Sequence, residues 1–109
     1  MEDLILKIKR IAKENPEGFT ISIKDLSHIK KGWIVALKET QNSFGDKGLR
    51  KVIETSLKTT YMVGGWKEEK LFYFDTVQIF NTEAEAIQAG IENDQISIYN
   101  LESGKLIYL

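Results

Sequence analysis

Four consecutive hydroxyl and amide side chains, Thr40-Gln41-Asn42-Ser43, are the most chemically distinctive run in the chain. They lie between an apolar stretch, Trp33 to Leu37, and an amphipathic one that begins near Asp46. Gln41 and Asn42 supply paired donors and acceptors. A hydroxyl such as that of Ser43, beside the free N–H groups of a helix N-terminus, can hold an anion. A ligand site on this loop would take Trp33, Trp66 and Asp75 as its walls. The competing reading is structural: Ser43 or Asp46 caps the following helix, Gly45 turns the chain, and the amides bond neighbouring backbone.

No catalytic constellation accompanies the loop. The sequence contains no phosphate-binding glycine motif, no H-E-x-x-H, and no Ser/His/Asp set in recognisable context. Glu68-Glu69 falls in a charged turn and Glu83/Glu85 in the first turn of a helix, both places that favour acids for structural reasons. Cysteine is absent and histidine occurs once. Thiolate chemistry is therefore excluded, and an Asp25/His28 pair is too small a ligand set for a metal. No cofactor is expected. Trp33, Trp66, Phe72, Tyr73 and Phe74 invite comparison with base-stacking sheets, but no basic residues interleave them, so core packing and cross-strand pairing explain them better.

These residues need elements to position them, and hydrophobic periodicity supplies candidates. Leu4, Ile8, Ile11 and Ala12 mark an N-terminal helix that Asn15-Pro16 ends. Phe19, Ile21 and Ile23 alternate as a half-buried strand. Trp33 to Leu37 is apolar at every position, as in a strand at the centre of a sheet or covered on both sides. Leu49, Val52, Ile53, Ser56 and Leu57 mark a helix over about 46–58. A strand from Tyr61 to Trp66 carries Gly64-Gly65, a pair that signals a bulge or a close approach of other chain. Leu71 to Phe80 is a long strand in which Asp75 interrupts the apolar alternation. Thr82 and Glu85 form a capping pattern opening a third helix, and Gly90 within it would bring that helix close to the sheet. Ile96–Leu101 and Lys105–Leu109 make a final hairpin around Ser103-Gly104.

The order α-β-β-α-β-β-α-β-β predicts a single α+β domain over residues 1–109, a two-layer sandwich. Its middle, Gly32 to Leu101, reads βαββαβ, the order of ferredoxin-like domains with a split βαβ. The expectation is that Trp33–Leu37 and Leu71–Phe80 lie side by side, antiparallel, at the sheet centre, with both internal helices on one face. An α+β sandwich with another strand order is the rival, because periodicity does not fix strand order.

With 109 residues, 42% hydrophobic and 28% charged, the composition is that of one ordinary globular domain. A net charge of −1 gives no broad drive toward nucleic acid or an anionic membrane. The apolar runs fall far short of the roughly 20 residues that span a bilayer. The start MEDLILKIKR is not a signal peptide, so a cytoplasmic setting is expected.

Several stretches together resemble a group of small proteins, without assigned activity, of bacteriophages and mobile elements of gut-associated bacteria. They are PEGFTISI, GWIVALKETQNSFGDKGLRKVIE, VGGW, YFDTV and EAEAIQAGIENDQISIYNLES, covering most of the chain from Pro16 onward. The resemblance implies a bacterial accessory context and carries no activity, cofactor or partner. Small size, the lack of catalytic motifs and free strand edges, Lys105–Leu109 above all, point to a non-enzymatic module that binds a protein partner. The alternative is a small-ligand or enzymatic site around Thr40–Ser43.

Overall fold

Each helix of the chain buries one stripe, and all three stripes meet the same face of one sheet. A computed structural model describes residues 1–109. The elements are α1 (Glu2–Glu14), β1 (Phe19–Ser22), β2 (Trp33–Ala36), a 3-10 turn (Lys38–Thr40), β3 (Ser43–Phe44), α2 (Gly45–Lys58), β4 (Met62–Glu68), β5 (Leu71–Phe80), α3 (Glu83–Glu92), β6 (Ser97–Asn100) and β7 (Leu106–Tyr108). The class is α+β. The open sheet has the order β1-β4-β5-β2-β6-β7, β3 adds to β5 beside the end of β2, and every pairing is antiparallel. No helix is long and apolar enough to cross a membrane.

Strand register decides which side chains share a face, because the side-chain period is two. Ile21 stands opposite Val63, Val63 opposite Thr76, Phe74 opposite Gly65, and Trp33 opposite Phe80. These residues therefore face one way, toward the helices. Phe19, Ile21, Val63 and Phe74 pack with Ile5 and Ile8 of α1 and with Leu49, Val52 and Ile53 of α2. Trp33, Val35 and Ile98 pack with Ala86 and Ala89 of α3. The opposite face, carrying Gly64, Trp66, Tyr73, Asp75, Ile34, Ala36, Ser97 and Tyr99, meets no helix. The complete apolarity of β2 thus reflects its place between β5 and β6 under α3; Ile34 and Ala36 are only half-buried.

The paired glycines mark a close approach, and the ladder between β4 and β5 runs through them without a bulge. A β-carbon at Gly65 would lie 2.6 Å from the Phe19 ring. Gly90 lets α3 settle on the last hairpin, since a β-carbon there would meet Leu109 at 2.4 Å and Ile98 at 3.0 Å. Thr82 caps α3, its hydroxyl accepting the Glu85 N–H at 3.2 Å and donating to the Glu85 carboxylate at 2.8 Å. α2 starts differently. Its N-cap is Phe44, in extended backbone, and no side chain caps it. Asp46 instead pairs with Lys9 of α1 at 2.9 Å, and Arg50 pairs with Glu2, exposed links between two helices already joined by their core.

A candidate cleft where the second strand ends

β2 is much shorter than β5 beside it, and its early end opens a notch in the helix-free face. After Ala36 the chain leaves the sheet through the 3-10 turn and rejoins β5 only at Ser43–Phe44. β5 continues past this gap, and the chain entering β6 borders its far side. The result is a cleft of about 340 Å³ lined by Gln41, Asn42 and Ser43, by Trp66 and Glu68 of β4, by Tyr73, Phe74 and Asp75 of β5, and by Gln95, Ile96 and Ser97.

Thr40 is what permits β2 to stop without exposing β5. The Leu37 N–H still bonds the Thr76 carbonyl at 2.9 Å, but no strand remains to accept the Thr76 N–H. The Thr40 hydroxyl accepts it at 3.0 Å and donates to the Leu37 carbonyl at 3.4 Å. The Thr76 hydroxyl in turn donates to the Val52 carbonyl at 3.1 Å and lies 2.8 Å from that of Ser56, binding β5 to α2. Thr40 is fully buried and does not line the cleft. Its placement among the site residues is corrected on that ground: it is a substitute for missing strand.

Trp33 does not reach the cleft either. It lies on the helix side of β2, 8% exposed, against α3. Ser43 borders the cleft but shares the face of Phe74, so its side chain turns toward α2. There a β-carbon on Gly48 would approach the Ser43 carbonyl carbon to 2.7 Å. The Ser43 hydroxyl is buried without a hydrogen-bond partner, and neither it nor Asp46 serves as the helix cap. Opposite outcomes follow for two hydroxyls three residues apart. Thr40→Val should destabilise by about 1–3 kcal/mol, because a buried N–H loses its acceptor. Ser43→Ala should be neutral or stabilising, because it removes an unsatisfied group. Urea melts of the two variants check both signs.

Gln41, Asn42, Trp66 and Asp75 do come together. Asn42 holds φ at +59°, a left-handed conformation that asparagine tolerates better than most residues. The Gln41 amide reaches the Asp94 carbonyl at 3.5 Å, a long contact that ties the loop to the approach to β6. Trp66 stacks on Tyr73 with centroids 5.7 Å apart and planes 16° apart, and Phe44 meets Tyr73 at 5.7 Å and 59°. Trp66 is 40% and Phe44 49% exposed, so this aromatic row opens outward. A second group of rings, Phe19, Phe72 and Phe74, clusters on the helix side.

Asp75 is the electrostatic centre. It is 7% exposed, and no donor in the chain bonds its carboxylate. Burial alone pushes its pKa up to about 7. By contrast, the exposed Asp25 accepts from the Ser27 hydroxyl at 2.7 Å and the Ser27 N–H at 3.0 Å, which hold it below its ordinary value. That turn, with His28 bridging to Ile21, lies at the far edge of the sheet. Sequence reading missed Glu68, Tyr73 and Phe44 as cleft or rim residues, and the Gln95–Ser97 wall altogether. Alternation on β4 could have placed Glu68 beside Trp66, but nothing local signals the wall. Compared with family models, with curated proteins and with solved structures, the chain gives no match.

Proposed function

We propose that the chain is a non-enzymatic binding protein that takes a protein partner on the helix-free face of its sheet, around the cleft. The observation that carries this reading is a buried carboxyl group left without a partner beside an outward-facing aromatic row. Stability of the free protein gives no reason for the unpaired carboxyl, and cross-strand stacking of Trp66 on Tyr73 does not require the row to stay open to solvent. Exposed Phe44, Trp66, Tyr99, Leu106 and Tyr108 extend an apolar surface along this face, and β7 adds a free strand edge. No His, Cys or Lys lines the cleft, and none of its hydroxyls is hydrogen-bonded to the Asp75 or Glu68 carboxylate as an activated nucleophile would be. The second reading, a small-ligand site around the Thr40–Ser43 loop, is favoured by the cleft's volume of about 340 Å³, which falls in the usual range for such sites.

The middle of the chain is read as a ferredoxin-like split βαβ, a reading supported by the neighbour order β4-β5-β2-β6 and by α2 and α3 on one face. The resemblance to proteins of phages and mobile elements supports an accessory role of that kind. Immobilised protein should retain a specific partner from a bacterial host lysate, and Trp66→Ala should release it. Metabolites that raise the melting temperature, with no partner retained, would favour the small-ligand reading instead.

A further inference from the structure

The only charged groups of the cleft are carboxylates, and they stand beside exposed ring faces. Asp75 and Glu68 supply carboxylates, Gln41 and Asn42 supply amide oxygens, and no Lys, Arg or His lines it to neutralise them. Asp75 is buried and unpartnered, yet the cleft reaches it. Phosphates and carboxylates are repelled by such a site; a cation with several N–H donors is matched. The Trp66–Tyr73 stack adds a flat, half-exposed ring surface at the same cleft, on which a planar cation rests better than a compact ammonium.

We infer that the cleft receives the guanidinium of an arginine side chain from the partner protein, stacked on the Trp66–Tyr73 pair and paired with the Asp75 carboxylate. This rests on the partner-binding reading above and names the group that is bound. A guanidinium presents five N–H donors in a fixed plane, enough to serve Asp75 and the loop amides together. Glu68 lies in the same cleft and favours the cation as well. Ion pairing needs Asp75 ionised, so arginine binding expels its proton, and affinity should weaken as pH falls. The other titratable groups lining the cleft are Glu68 and Tyr73, and neither adds positive charge.

The test uses short Gly/Ser peptides with one central arginine, lysine or glutamine, titrated into the whole protein and followed by amide and indole NMR shifts. The arginine peptide should move Trp66, Asp75 and Ser97, and lysine should bind more weakly by about tenfold, the scale of one good stacked and paired contact. Glutamine should not bind, Asp75→Asn should lose the arginine response, and affinity should drop several-fold between pH 8 and pH 6. Equal responses to arginine and glutamine, or an arginine response unchanged in Asp75→Asn, would overturn the inference. A lysate partner released by Trp66→Ala, with no arginine peptide bound, would overturn the guanidinium and leave the partner reading standing. Arginine peptide bound with no protein partner retained would remove the partner and with it the occupant proposed here.

Discussion

Asp75→Asn should make the protein more stable at pH 8 and leave it unchanged at pH 3.5. In the folded chain the Asp75 carboxyl has its pKa raised from 3.8 to about 7 by burial. The folded state therefore holds a proton that the unfolded chain releases between these two values. Stability from this group is complete below pH 3.8, falls as pH rises toward 7, and is flat above. The full penalty at pH 8 is up to about 4 kcal/mol, from roughly 1.4 kcal/mol per pH unit. Asparagine keeps the shape and never ionises. The difference between variant and parent, read from urea melts across pH, should grow from near zero to a few kcal/mol in favour of the variant. All other titrating groups are shared, so the difference isolates Asp75. A variant equally or less stable at pH 8 would mean that the carboxylate is solvated or paired.

The two tryptophans should respond in opposite ways to truncation. Trp33→Ala should cost about 3–5 kcal/mol of stability, because the ring is packed between β2 and α3 and its removal leaves a core cavity. Trp66→Ala should change stability by roughly 1 kcal/mol or less while weakening partner binding about 30-fold or more, the scale of an interface hot spot. Melts and a binding isotherm on the same samples decide the matter. Unfolding by Trp66→Ala, or full binding retained by it, would take the aromatic row out of the functional account.

These contrasts locate where sequence reading stops. Helical stripes, the Thr82–Glu85 cap and the final hairpin follow from period and local chemistry, and the adjacency of β2 to β5 from the order of the elements along the chain. Asp75 is visible as a lone acid in an apolar strand. The face of Trp33 is not visible, because Trp33-Ile34-Val35-Ala36 is apolar at every position and alternation carries no sign. β3 is a two-residue pairing, too short to leave a pattern. Thr40 and Ser43 look interchangeable in a polar loop; only the early end of β2 gives one hydroxyl a backbone N–H to accept and leaves the other unsatisfied. The cleft's far wall, Gln95 to Ser97, lies some fifty residues from the loop it faces, and tertiary folding alone brings the two together.

A carboxyl group that weakens the free fold, set beside rings that face outward, is the core of the functional account. Its most direct test is the pH titration of the Asp75 side-chain carboxyl carbon by NMR in the free protein. The midpoint should lie near 7, while that of Asp25, held by Ser27, lies below its ordinary value and serves as the internal reference. A midpoint for Asp75 near that of a free aspartate, about 4, would contradict the account, because the cleft would then hold an ordinary solvated acid.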